Sequence, residues 1–244
     1  ITGEAGIMLA EEHKLNRNSL QFYSYQWIEE LASSVKCGDS KQCELIINRI
    51  FNEHNLNPNI SFLTLQMAVY NCVYNVLNAY YEVITDNDMR NELVTKMFQL
   101  LSSDSVLSLQ EELIEALCSA CKNINYQKSK SENILIQQVQ QFIRKNYCDN
   151  SLNISSIADS FNKNPNYLSQ LYRQHTGESI LDYIKKIRIH HAKELMLDPS
   201  LNQETVSLLV GFTNTKTFRR SFQSVTGVQP SKYYTDKEFL TANS

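Results

Sequence analysis

Two stretches of this chain carry hydrogen-bonding side chains of the kinds that grip a nucleic acid. Asn166, Ser169, Gln170 and Arg173 form one set; fifty residues later, Thr215, Lys216, Arg219, Arg220 and Gln223 form another. Arg can hold guanine with two hydrogen bonds, Asn and Gln can do the same for adenine, and Lys and Thr can bond phosphate or base. A solvated face of a small helical bundle is the plainer reading of either set taken singly. What sets that reading aside is that both sets sit in copies of one repeated unit.

The repeat is direct. Asn164-Pro-Asn-Tyr-Leu-Ser-Gln-Leu-Tyr-Arg-Gln-His-Thr-Gly177 aligns with Asn214-Thr-Lys-Thr-Phe-Arg-Arg-Ser-Phe-Gln-Ser-Val-Thr-Gly227 at an offset of fifty. Leu168 pairs with Phe218, Tyr172 with Phe222, and, further on, Tyr183 with Tyr233. Upstream, Ile157-Ala158 aligns with Val206-Ser207 at an offset of forty-nine. Each copy reads as a short apolar helix (Ile154 to Phe161; Glu204 to Val210), a turn, and a second helix. Gly211 can take positive φ in the second turn. Asn164 and Asn214 offer side-chain oxygens as N-caps, Pro165 suits the first helical position, and Gly177 and Gly227 suit the helix ends. This predicts a helix-turn-helix, twice, with Leu168, Leu171, Tyr172, Phe218 and Phe222 turned inward.

Between the copies, Ile180, Leu181, Ile184, Ile187, Ala192 and Leu195 mark a helix over Glu178 to Met196. A rod of roughly 19 residues is about 28 Å long at 1.5 Å per residue. Such a rod can hold two reading helices about one DNA turn apart, near 34 Å, on one side of a duplex. His190 and His191 lie on it, but adjacent helical residues point apart, so they are expected as surface histidines rather than a metal pair.

The 244 residues carry a net charge of −3, with 42% hydrophobic and 20% charged residues. Only 6 Gly and 4 Pro argue against collagen and turn-dense β folds. No window approaches 18 uninterrupted apolar residues, so no membrane contact is expected. The start, Ile1-Thr-Gly-Glu-Ala, does not read as a signal peptide and lacks Met, which suggests a processed or excised piece of a longer protein. Residues 1–130 hold 10 Lys+Arg and 16 Asp+Glu, residues 131–244 hold 13 and 10. The polar junction Asn125 to Asn133 has no apolar period and reads as a linker. The expected organisation is therefore an acidic helical regulatory or dimerisation region over 1–124, a linker over 125–133 and a DNA-binding domain over 134–244. Six cysteines and no export signal suggest reduced thiols and a cytoplasmic setting.

The first half is also helical by pattern. Tyr23, Trp27, Leu31 and Val35 form one stripe, ended by Gly38-Asp39, and Cys43, Ile46, Ile47, Ile50 and Phe51 form a second. A third comprises Leu63, Met67, Tyr70, Val73, Tyr74, Leu77, Tyr81 and Ile84, and a fourth Leu93, Met97 and Leu100. Leu109, Leu113, Leu117, Ala120 and Ile124 form a fifth, opened by Ser108-x-x-Glu111 at capping-box spacing. Cys118-Ser-Ala-Cys121 matches half of a redox or metal motif, but it lies inside this stripe with no second cysteine pair, so core cysteines are expected. The tyrosines Tyr70, Tyr74, Tyr80 and Tyr81 suit core or interface. His13 and His54 lack a chelating partner, and no GxGxxG, Walker or GxSxG motif occurs. No cofactor, metal or catalytic residue is expected.

The second half resembles the AraC/XylS family of bacterial transcription regulators. The resemblance spans about 134–234 and rests on Leu152-x4-Ile157-Ala158, Tyr167-Leu168-Ser169, Thr176-Gly177, Tyr183-Ile184, Arg188-x3-Ala192, Val210-Gly211-Phe212, Thr217-Phe218, Phe222, Gly227-Val-Gln-Pro230 and Tyr233. It implies an all-α chain whose C-terminal seven-helix domain holds two helix-turn-helix subdomains joined by a linker helix. The third and sixth helices, Pro165 to His175 and Thr215 to Val225, would enter successive major grooves of promoter DNA. Asn166, Ser169 and Gln170 would read in the first, and Thr215, Lys216, Thr217, Arg219 and Arg220 in the second. Three departures stand out: Gln223-Ser224 where a basic pair is common, Tyr234 where Arg is usual, and Ser207 for a small Ala. Residues Tyr25 to Asp39 are similar to the helical region that precedes this domain in response regulators and sensor-regulators, which implies a sensory part upstream. The acidic half would then relay a signal, form a homodimer or contact RNA polymerase. Two other functions compete. An AraC-domain DNA-repair methyltransferase would need a nucleophilic Pro-Cys-His setting, and no Pro-Cys occurs. A helical protein-binding module would be indifferent to loss of Arg219 and Arg220.

Overall fold

The computed structural model describes residues 25–56 and 61–233. Among the described residues there is no strand, in keeping with the all-α expectation. The chain divides into two compact units between Lys130 and Ser131.

The first unit holds α1 (Tyr25–Cys37), α2 (Ser40–Leu56), α3 (Phe62–Val83), α4 (Asn87–Gln99) with a 3-10 turn behind it (Leu100–Ser102), and the first part of α5 (Val106–Asn146). Short polar side chains start these helices. The Ser61 hydroxyl accepts from the Thr64 amide at 3.2 Å, and Asp86 accepts from Asp88 and Met89 at 3.0 and 3.1 Å. The core joins Leu31 and Val35 of α1, Ile46, Ile47 and Phe51 of α2, and Leu109, Leu113, Leu117 and Ile124 of α5. These are the stripes read from the sequence. Tyr23 and His13 lie outside the described residues.

Two expectations are corrected in this unit, and a third gains detail. The third stripe is only partly right: Ile84 is buried and Val73 and Leu77 pack on the core, but the fully buried face is Leu65, Val69, Cys72, Val76 and Tyr80, whereas Leu63, Met67 and Tyr74 stand in solvent. Both faces are apolar, so periodicity had no contrast to work on. Ser108 does not open α5; the helix begins at Val106, with the Ser105 hydroxyl accepting the Ser108 amide at 3.1 Å and Ser108 donating to Glu112. The stretch 125–133, read as a linker, contains the boundary between the two units and is helical. α5 runs through it as one helix of 41 residues. No Gly or Pro interrupts 106–146, and a helix closes its own backbone hydrogen bonds without needing an apolar face. Asn125 and Lys128 also donate to the carbonyls of Gly38 and Cys37, at 2.9 and 3.0 Å.

The second unit holds the rest of α5, then α6 (Ile154–Ser160), α7 (Pro165–Thr176), α8 (Ile180–Leu195), α9 (Gln203–Leu209) and α10 (Thr215–Thr226), with helical backbone again at 230–233. It has two cores. One gathers Ile136, Val139 and Ile143 of α5 with Ile157, Leu168, Tyr172, Ile180 and Tyr183. The other gathers Ile189, Ala192, Val206, Val210, Phe218 and Phe222. α8 serves both, its first half in one core and its second half in the other. It spans 16 residues rather than 19, or about 24 Å, because Ser179 caps its start and Met196 ends it. Leu181, one of the apolar residues that mark this helix, is exposed.

The turn inside each pair needs a left-handed residue. Gly211 supplies it at φ +86° and, in the first copy, Asn162 at φ +51°, a residue the sequence reading passed over. Gly211 also has no room for a side chain, since a Cβ there would lie 2.5 Å from the Tyr147 carbonyl and 2.8 Å from that of Cys148. Gly177, at φ +77°, has open space around it. Gly211→Ala is therefore expected to cost about 3 kcal/mol or more, strain plus backbone clash, and Gly177→Ala about 1 kcal/mol. Urea unfolding of the two variants checks the difference.

The thiols give a second test. Cys43 and Cys121 lie with their sulfurs 3.8 Å apart in the first core, a pairing that the Cys118-Ser-Ala-Cys121 spacing did not suggest. Burial pushes the Cys72 thiol up to about 11, so it stays protonated and unreactive at pH 8. Cys37 and Cys148 are exposed. Alkylation at pH 8 followed by mass spectrometry should modify Cys37 and Cys148 first, and Cys72 only after denaturant is added.

Candidate nucleic-acid interface

The two reading helices are built alike. Asn164 caps α7 by accepting from the Asn166 and Tyr167 amides at 2.9 and 3.2 Å; Asn214 caps α10 by accepting from the Thr217 amide at 2.8 Å. Both helices end on a left-handed glycine, Gly177 and Gly227. The threonine before each glycine donates back to the helix, Thr176 to the Tyr172 carbonyl at 2.8 Å and Thr226 to the Phe222 carbonyl at 2.7 Å. The aromatic pairs match as well: Tyr172 and Tyr183 have ring centroids 5.9 Å apart, Phe222 and Tyr233 5.4 Å. The offset of fifty is thus a repeat of contacts as well as of letters. Ser207, standing where a small Ala was expected, is fully buried and turns its hydroxyl to the Glu204 carbonyl at 2.8 Å. That bond removes the cost of burying it.

With Leu168, Leu171 and Tyr172 buried on α7, the opposite face is open. Asn166, Gln170 and Arg173 are exposed and Ser169 is half-buried. On α10, Phe218, Ser221 and Phe222 are buried, Lys216, Thr217, Arg219 and Arg220 are exposed, and Thr215 is half-buried. Gln223 is exposed as well, so all ten side chains singled out in the sequence lie on two solvent-facing helix surfaces. Gln203 was not foreseen; its side-chain oxygen accepts from Arg219 Nε at 3.3 Å and steadies that arginine. Tyr167 is a second, an aromatic ring 45% exposed beside Asn166. Tyr234 lies outside the described residues.

Charge is distributed to leave these faces positive. α7 and α10 contain no Asp or Glu. Among the described residues, no carboxylate pairs with Arg173, Lys216, Arg219 or Arg220. On α8, by contrast, Lys185 is paired with Asp182 at 2.9 Å and Lys186 with Glu178 at 2.8 Å. The Asp182 carboxyl is held below its ordinary pKa by the Ser179 hydroxyl and by Lys185. Helix N-termini add their own positive potential. Among the described residues, no group of His, Cys, Asp or Glu is arranged to hold a metal ion, and no helix is long and apolar enough to cross a membrane.

Arg188 ties the two subdomains to the end of α5. It is buried on α8, donates from Nε to the Tyr147 carbonyl at 2.8 Å and from Nη2 to the Asp149 carbonyl at 2.7 Å, and lies over the Phe212 ring at 5.4 Å. Burial lowers its pKa, opposed by the nearby Asp149 carboxylate. Beside it, His191 stacks on Tyr147 with centroids 4.2 Å apart, so this histidine is half-buried packing, while His190 is exposed.

Residues 157–236 match the family model described as a helix-turn-helix domain. Among curated relatives, the chain is 25% identical to an HTH-type transcriptional regulator, YtdP, of Bacillus subtilis over 86% of this chain and 27% of that one. It is 27% identical to the Msm operon regulatory protein of Streptococcus mutans, over 63% of this chain and 54% of that one. It is 33% identical to the arabinose operon regulatory protein of Escherichia coli, over 40% of this chain and 34% of that one. The chain thus spans between about a quarter and a half of the length of these relatives. The segment 157–236 is an AraC-type helix-turn-helix domain.

Arg188→Met keeps most of the side-chain volume but strips two carbonyls of a charged donor. It should cost about 2–3 kcal/mol of stability in the second unit. Amide hydrogen exchange of α9 and α10, compared with that of α7, would register the loss.

Proposed function

We propose that this chain is part of a DNA-binding transcription regulator that reads two successive major grooves with α7 and α10. The observation that carries the reading is the pair of matched, cation-bearing helix faces, with no carboxylate of the described residues paired to their cations, on subdomains that share one connecting helix. Asn166, Ser169, Gln170 and Arg173 contact one groove; Thr215, Lys216, Thr217, Arg219 and Arg220 contact the next. Arg219, steadied by Gln203, suits two-point recognition of guanine, and Lys216 suits a phosphate. The first unit, on this reading, brings two copies together or contacts RNA polymerase. The relatives' names agree with such a role, since those quoted above are one HTH-type transcriptional regulator and two operon regulatory proteins.

Duplexes selected by the chain from a randomised pool provide the probe. Arg219→Ala and Arg220→Ala should each weaken binding to the selected duplex by about 1–3 kcal/mol and relax base preference at one position. Lys216→Ala should weaken binding to all sequences evenly and lower the slope of affinity against salt by about one. Fluorescence anisotropy at two salt concentrations measures both. An unenriched pool, or affinity indifferent to salt and to both arginines, would return the chain to the protein-binding alternative.

A further inference from the structure

Two thiols face each other across the first core. Cys43 stands on the inward stripe of α2 and Cys121 on that of α5, 78 positions apart in the chain. Their sulfurs lie 3.8 Å from each other, close enough for one thiol to hydrogen-bond the other, and both residues are buried. The register that brings them together is set from either side. The Gly38 carbonyl, just before α2, accepts from Asn125 at 2.9 Å, and the Asn48 side chain on α2 accepts from Gln110 at 2.8 Å. α2 therefore runs antiparallel to α5, with the sulfur pair between two fixed points. A disulfide needs its sulfurs about 2.05 Å apart, so the pair must close by about 1.8 Å. That is a change of side-chain torsions and a small helix adjustment rather than a refolding.

The two sulfurs are unequal. The bond from Cys43 lowers the Cys121 pKa against the effect of burial; the same bond, and then burial, pushes Cys43 up. The thiolate is the nucleophile, so Cys121 is the attacking sulfur and Cys43 the resolving one. Cys118, one turn before Cys121 on α5, is half-buried, and burial raises its pKa. A hydroperoxide supplies the oxidising equivalents. The Cys121 sulfur attacks one peroxide oxygen and the O–O bond breaks. The thiol proton leaves with the other oxygen as water, and a sulfenic acid remains. The Cys43 sulfur then attacks the sulfenic sulfur: the S–S bond forms, the S–O bond breaks, and the departing hydroxyl takes the Cys43 proton as a second water. The two thiols lose two electrons and the peroxide gains them. A small dithiol reverses the change by exchange.

We propose that Cys43 and Cys121 are an oxidisable pair that a hydroperoxide converts to a disulfide, clamping α2 to α5. The clamp would pin the first stretch of the helix that runs on to Asn146. It does not depend on DNA. The full chain carrying Cys37→Ser and Cys148→Ser tests it, because the two exposed thiols are then gone. Hydrogen peroxide is added, free thiols are alkylated in denaturant, and the unreduced peptides are weighed. The expected product joins the Cys43 and Cys121 peptides at two hydrogens less than their summed mass, and dithiothreitol separates them again. Oxidation should raise the thermal midpoint by about 5 °C or more, since a cross-link over so long a loop restricts the unfolded chain. Cys118→Ser should leave both the link and the shift in place, and Cys121→Ala should abolish both. Recovery of Cys43 and Cys121 as free thiols after peroxide would overturn the proposal. So would a link from Cys118 in place of this one, a link that leaves the midpoint where it was, or a shift that survives Cys121→Ala.

Discussion

One buried cation sets the frame for the second unit. Arg188 sits where the carbonyls at the end of α5 would otherwise face a closed interior without donors. A guanidinium meets two of them at once, and its planar face covers the Phe212 ring. Carbonyls at a helix C-terminus carry partial negative charge, so a cation without a bonded carboxylate is tolerated there. The same approach explains Gly211, since the chain that brings Tyr147 and Cys148 within reach of Arg188 leaves no space for a side chain on that turn. A cation, a glycine and a helix end thus determine one another.

From that frame the positions of the reading helices follow. α8 carries side chains into both cores, so each helix-turn-helix is anchored to the same rod. Each core buries one face of its reading helix and leaves the other to solvent. The charges are sorted to match: Lys185 and Lys186 on the rod are paired with carboxylates, whereas no carboxylate among the described residues pairs with Arg173, Lys216, Arg219 or Arg220 on the reading faces. A chain of net charge −3 can therefore present two positive surfaces. For a polyanion the local field counts for more than the total.

The two units differed in how readable they were. The second could be read because it contains its own control: two copies with the same caps, the same terminal Thr-Gly and the same aromatic pairs fix which face is inward. α3 had no such control. Apolar residues line both of its faces, and a pattern of spacing cannot say which one neighbouring helices will cover. The polar run 125–133 marked the place where the two units divide but not its helical form. Absence of an apolar face excludes a core, but it does not exclude a helix whose backbone is already satisfied.

Residue order alone determined the repeat, the helices and caps of its two copies and the outward side chains of α7 and α10, because these depend on contacts within a few residues and on a period that can be counted. Tertiary structure decided which face of α3 is left bare, that Cys43 meets Cys121, that Gln203 holds Arg219, and that Arg188 bonds the end of α5. Each of those joins groups distant in the chain or selects between equivalent faces, and distance along a sequence carries no measure of approach in space.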